Sequence, residues 1–189
     1  MPLHVLLERR TSAFELHPPL RLAPLRETPR MDLIREAHPS DIDALIRLNI
    51  ELHEFSATGV PSRLRIASAY DTETMRARWA ALLRDRGATT FVAIDGDEIV
   101  GYAEIHMVEP ENDPGVVPTR RAHLQSLLVT SAHRADGIGS SLLAEAERWA
   151  RDRGAQEMEL DHWVFDGGPE AFYERAGYEV LSRMLVKRV

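Results

Sequence analysis

The stretch from Ala122 to Gly154 leaves the chain little choice of architecture. Ala122 to Val129 is a β-type run that ends in Leu127, Leu128 and Val129. Thr130 to His133 turns the chain, and Arg134-Ala135-Asp136-Gly137-Ile138-Gly139-Ser140 leads into a long helical pattern. Ile138, Leu142, Leu143, Ala146, Trp149 and Ala150 share one face of a helix expected from about Gly137 to Arg153, and Gly154 stops it. A strand tied by a short turn to such a helix buries its apolar residues when the helix lies back on the strand's own sheet. Two glycines at the turn let the backbone approach a ligand closely. The first N–H groups of a helix are unpaired and sit at the positive end of its dipole, which favours an anion. Arg134 adds a positive charge. On these residues alone two readings stay open: an anion cradle, and a tight turn that uses glycine for its geometry. A dinucleotide fingerprint needs glycine at position 142, which is Leu, and the Gly-Lys-Ser/Thr of a P-loop is absent.

Upstream, the pattern becomes regular at Asp32. Leu33 to Ala37 reads as a short strand, and Pro39 to Asp43 as a helix start with Ser40 as cap and Asp43 at the third helical position. Ile42, Leu45, Ile46, Asn49 and Leu52 follow helical spacing before the polar Thr58-Gly59-Val60-Pro61. A second helix is expected from about Thr74 to Arg86, with Met75, Trp79, Leu82 and Leu83 on one face and Gly87 as its stop. Thr89 to Ile94 and Glu98 to Ile105 flank Asp95-Gly96, a strong hairpin signal because both turn positions must tolerate positive φ. Residues 109 to 120 form a loop rich in Pro and Gly. After the long helix, Glu157 to Val164 reads as a strand. Pro169 opens a short helix at its first position, Gly177 closes it, and Tyr178 to Lys187 reads as a last strand. The order β-α-α-β-β-β-α-β-α-β mixes hairpins with crossovers. The expected class is therefore α/β, with a mixed antiparallel and parallel sheet flanked by helices.

Residues 1–30 differ from this. They hold five of the eleven prolines, and five arginines against three glutamates, with no persistent period. They are expected to be a flexible or loosely ordered extension, with an arm that pairs with a partner subunit as the alternative. Residues 31–189 are expected to form one domain. Cysteine is absent, which removes disulfides, thiolate metal sites and a cysteine nucleophile. His123, His133 and Asp136 lack tight ligand spacing, so no metal is expected. There is no secretory-type start and no apolar run near the roughly 18 residues of a membrane span, so the expectation is a cytoplasmic protein without a membrane partner. A formal charge of −7 argues against a nucleic-acid partner.

Two segments together carry a family resemblance. Leu127-Leu128-Val129, followed by His133-Arg134-Ala135-Asp136-Gly137-Ile138-Gly139-Ser140-Ser141-Leu142-Leu143, resembles the acetyl-CoA signature of the GCN5-related N-acetyltransferase (GNAT) family. Ala171-Phe172-Tyr173-Glu174-Arg175-Ala176-Gly177-Tyr178-Glu179 resembles that family's second signature, and the element order from Asp32 onward agrees with it. The resemblance implies acetyl-CoA as co-substrate and direct transfer to an amine in a ternary complex. It implies that Leu127, Leu128 and Val129 pair with the pantetheine arm. It implies that Arg134, Ala135, Asp136, Gly137, Ile138, Gly139 and Ser140 wrap the pyrophosphate. It gives Tyr173 the role of general acid toward the departing thiolate. Asp166 stands where relatives often carry an asparagine that contacts coenzyme A.

The resemblance also implies a base, and there the sequence departs from the family. Gln125 occupies the position where relatives often place a glutamate, and Gln cannot accept the proton. Glu104, His106, His123, Asp161 and His162 are the alternatives. Glu104 and His106 share a strand face by period two, and Glu104 is the leading candidate. Acceptor specificity is implied for about Glu51 to Tyr70 and Val108 to Arg120, where Glu51, Glu54, Glu109 and Glu111 favour a cationic small-molecule amine. A homodimer is the assembly considered. Two other functions stay open: a silent acyl-CoA sensor, and an acetyltransferase for protein N-termini or lysines.

Overall fold

The computed structural model describes residues 33–109, 114–115 and 117–187. The extension expected over residues 1–30 lies outside the described residues, as does Glu111. The strands are β1 (Leu33–Glu36), β2 (Ala88–Asp95), β3 (Glu98–Val108), β4 (Arg121–Val129) and β5 (Glu157–Glu159). The helices are α1 (Ile42–Gly59), α2 (Thr72–Leu82), α3 (Ile138–Asp152) and α4 (Glu170–Arg175), with 3-10 turns at Pro39–Asp41 and Ser131–His133. One sheet runs β1-β2-β3-β4-β5, antiparallel through β4 and parallel between β4 and β5. The mixed sheet expected from the sequence is the one observed.

Both faces of the sheet are covered because its inner strands are apolar on both sides. Phe91, Ala93, Val100, Ala103, Ile105, Ala122 and Leu124 pack against Ile138, Leu142, Leu143, Ala146 and Trp149 of α3. Val92, Ile99, Tyr102 and Leu128 pack on the opposite face against Ile42, Leu45 and Leu48 of α1 and Trp79 and Leu82 of α2. Each buried Val, Leu, Ile or Phe among these contributes about 1.5–3 kcal/mol by leaving water. The β2–β3 turn has Gly96 at φ 60°, the conformation that makes Asp-Gly a hairpin signal.

Several boundaries differ from expectation. The cap before α1 is not Ser40. Asp41 accepts the His38 N–H at 2.7 Å and is clasped by Arg35 at 2.6 and 3.0 Å. That guanidinium holds the Asp41 carboxyl below the usual range. α1 continues through Thr58 and Gly59. α2 starts at Thr72, because Asp71 accepts the Thr74 N–H at 3.0 Å, and it ends at Leu82. Pro169 is the residue before α4 and not its first. The strand expected to Val164 stops at Glu159, and no strand forms over residues 178–187. Leu181, Met184 and Leu185 there are 85%, 98% and 89% exposed. Strand propensity without a neighbouring ladder leaves backbone groups to water.

Candidate active site

The parallel pair β4–β5 is short. It spans only Arg121 opposite Glu157, Ala122 opposite Met158 and His123 opposite Glu159. β4 runs on to Val129 while still paired with β3 on its other side. Midway, Glu104 faces Ser126 and Ile105 faces Leu124, so Gln125 is the extra residue of a bulge. A bulge bends its strand and re-aims its neighbours. Beyond it, the outer backbone edge of β4 has no strand partner among the described residues. The side chains of Leu127 and Val129 pack toward α3, and Leu128 is buried on the opposite face. These three residues are anchored by their side chains, and a ligand in the gap meets their backbone.

The N-terminus of α3 stands at the open end of this gap. Its first residue follows Gly137, at φ 87°, and no side chain caps it. Ala135 also has positive φ, 71°, which costs a non-glycine residue about 1–2 kcal/mol. Arg134 is exposed. Its Nε donates to the Val129 carbonyl at 3.1 Å, and its guanidinium lies 4.7 Å from the Phe55 ring centroid. Phe55 in turn packs edge-on against Phe165 at 5.4 Å. Asp136 on the same loop and Ser140 in the first turn of α3 are exposed, Gly139 is half-buried, and Ile138, the first residue of α3, is buried. A Cβ on Gly139 would lie 3.6 Å from the Phe172 ring, so α4 borders the cradle. An uncapped helix end, a backbone bent by two left-handed residues and an exposed guanidinium fit a pyrophosphate.

On α4, Tyr173 stacks against His162 at 5.9 Å and meets Phe172 and Tyr178 edge-on at 5.1 and 5.8 Å. Burial pushes its hydroxyl up to about 12. Tyr178 donates to Glu147 at 3.1 Å, whereas the Tyr173 hydroxyl makes no hydrogen bond among the described residues. Asp166 is exposed in the loop before α4.

Of the proposed bases, Glu104 is the most confined. It is 0% exposed, on the β3 face that looks toward α1 and α2. Arg78 of α2 donates to its Oε1 at 2.5 Å, and His106 Nε2 lies 2.8 Å from the same oxygen. Burial pushes the carboxyl up, but the His106 and Arg78 hydrogen bonds outweigh it and hold the group below the usual range. Period two placed Glu104 and His106 on one face, as observed. Nothing in the sequence pointed to Arg78, which lies 26 residues away. His123, opposite His106, has Asp161 at 3.8 Å. His162 stands apart, against Tyr173. Among the described residues no group of three or more His, Asp or Glu could hold a metal, and no helix is long and apolar enough to cross a membrane.

Comparison with known proteins fits this geometry. The profile of the acetyltransferase (GNAT) family matches residues 49–178. The chain is 26% identical over 129 residues to the aminoglycoside N(6')-acetyltransferase type 1 of Stenotrophomonas maltophilia, covering 68% of this chain and 84% of that one. It is 29% identical over 146 residues to the aminoalkylphosphonate N-acetyltransferase of Salmonella typhimurium, covering 77% of this chain and 84% of that one. A solved aminoglycoside N-acetyltransferase in complex with CoA superposes with a TM-score of 0.66 at 18% identity, covering 86% of this chain and 98% of that one. At that identity the likeness concerns the fold. The profile, however, spans β4 and β5, the N-terminus of α3 between them and α4, so the chain belongs to the acetyltransferase (GNAT) family.

Proposed function

We propose that the chain acetylates the amine of a small molecule by direct attack on acetyl-CoA in a ternary complex. The observation that carries the substrate class is the pair of relatives named for aminoglycoside and aminoalkylphosphonate acetylation, each aligned over 84% of its own length. In this reading residues 134–140 hold the pyrophosphate, and the backbone of Leu127 to Val129 holds the pantetheine arm. Asp166, exposed beside α4, borders that arm. Glu51 and Glu54, both on α1, favour a cationic acceptor. The test is thiol release from acetyl-CoA with an aminoglycoside, an aminoalkylphosphonate, a polyamine, a neutral primary amine and, as the contrast, a short peptide with a free N-terminus. Turnover on at least one of the four small amines is expected. Turnover on peptide N-termini alone, or acetyl-CoA binding with no turnover anywhere, overturns the reading.

Tyr173 acts in it as the donor to the departing thiolate. Its hydroxyl makes no hydrogen bond among the described residues and, pushed by burial up to about 12, keeps its proton at every ordinary assay pH. Tyr173→Phe is expected to lower kcat about 10²-fold, at the weak end of general acid catalysis because a thiolate leaves readily. The KM for acetyl-CoA should change less than twofold. An unchanged kcat in steady-state assays removes the assignment.

A further inference from the structure

We propose that His106 takes the proton from the acceptor amine, and that Glu104, clamped by Arg78, is its positioning residue. The inference rests on the acetyl-transfer reading above. Glu104 cannot meet a substrate directly, since it is 0% exposed and its Oε1 already receives Arg78 at 2.5 Å and His106 at 2.8 Å. His106 can, with its side chain 33% exposed. A carboxylate ion-paired to arginine only accepts hydrogen bonds. It therefore fixes the imidazole proton on Nε2 and leaves the Nδ1 lone pair as the basic site, the same logic by which a carboxylate orients a catalytic histidine. Nδ1 makes no hydrogen bond among the described residues.

The location is right for the chemistry. Glu104 faces Ser126 and His106 faces His123, so the dyad brackets the Gln125 bulge, just past the point at which β4 parts from β5. It lies on the α1 and α2 side of the sheet, where the expected acceptor region sits. The groups around it are Arg78 from α2, Glu104 beside it on β3, and His123 and Asp161 from β4 and the segment after β5. His123 is the rival, but its partner Asp161 is 3.8 Å away with a side chain 93% exposed, which leaves that pair without a fixed geometry.

The step balances as follows. The neutral amine nitrogen bonds to the acetyl carbonyl carbon, and its proton passes to His106 Nδ1. Glu104 stabilises the resulting imidazolium. The C–S bond breaks, and the thiolate takes the Tyr173 proton. His106 then loses its proton to water, and Tyr173 regains one.

Two measurements on the full chain test this. The first needs no acceptor: nitrogen-15 NMR of the His106 ring in the free enzyme. The expected tautomer carries the proton on Nε2, and a proton on Nδ1 overturns the proposal. The second is steady-state kinetics on the best acceptor of the panel. His106→Gln should lower kcat about 10²–10³-fold, with the KM for acetyl-CoA unchanged and partial rescue by added imidazole. It should also abolish the acid limb of the kcat profile that a histidine base imposes. Glu104→Gln should shift that limb to lower pH, because the imidazolium loses a neighbouring negative charge. Retention of kcat in His106→Gln within twofold, or loss of the limb in His123→Gln instead, overturns the assignment. A panel without turnover counts against the acetyl-transfer reading and leaves the NMR result to decide the dyad.

Discussion

Arg78→Ala is expected to destabilise the fold by about 3 kcal/mol at pH 7, and by clearly less at pH 5. Removing one partner of a buried ion pair costs roughly 3–5 kcal/mol, because the other charge is left in low dielectric. The low end applies here, since the Arg78 side chain is 45% exposed and His106 still donates to Glu104. The pH dependence has a definite sign. In the intact protein the Glu104 carboxyl lies below its ordinary range. Its contribution is therefore present above the unfolded value of about 4.3 and is lost as pH falls through the folded one. Without Arg78 two of the causes that lower the carboxyl are gone, and burial, the largest single cause, raises it against His106 alone. The variant then loses less stability on acidification than the parent does, so the gap closes on the acid side. Urea denaturation at pH 7 and pH 5 measures both. Arg78 also lies 4.8 Å from the Trp79 ring centroid, a contact worth about 0.5–1 kcal/mol. A double-mutant cycle with Glu104→Gln separates that from the ion pair. A deficit that is equal at the two pH values sinks the argument.

The parts of this molecule that were readable from the chain are those whose cause is local. The face Ile138, Leu142, Leu143, Ala146, Trp149 and Ala150 is buried as its period required. Asp95-Gly96 makes its hairpin because positive φ is a property of those two residues. The loop Arg134 to Ser140 was legible for the same reason: charge, glycine and a helix start are consecutive. The Asp71 cap of α2 was also local, and only the choice of Thr74 as the start hid it. What depended on distant partners was not legible. Val180 to Val186 have strand-forming side chains, but a strand needs a ladder, and neither propensity nor alternation says whether one is in reach. Arg78 reads as an ordinary surface arginine until α2 is laid across β3. Gln125 was read as a missing base. The structure gives it a different character, the extra residue of a bulge, which no composition rule announces.

Arg134→Glu should raise the KM for acetyl-CoA about 10²–10³-fold while leaving stability within about 0.5 kcal/mol, as for other exposed positions. The Arg134 guanidinium rests on the Val129 carbonyl and the Phe55 ring, and among the described residues no carboxylate pairs with it. Its charge is thus available to an anion. A charge-assisted hydrogen bond to phosphate is worth roughly 1.5–3 kcal/mol, and the reversed charge adds repulsion beside a helix end that already attracts the anion. A combined loss of about 3–4 kcal/mol is two to three powers of ten. Magnitude alone does not distinguish a lost contact from a distorted loop, but the salt dependence does. In the parent, added salt screens an attraction, and KM rises. In Arg134→Glu it screens a repulsion, and KM falls. A distorted loop would lower affinity without reversing that slope. Arg134→Lys, which keeps the charge and loses the planar fork, should sit between the two and keep the parental sign. Initial-rate kinetics from 50 to 500 mM salt decide the matter: a slope of unchanged sign in Arg134→Glu, or a KM within fivefold of the parent, removes Arg134 from the pyrophosphate cradle.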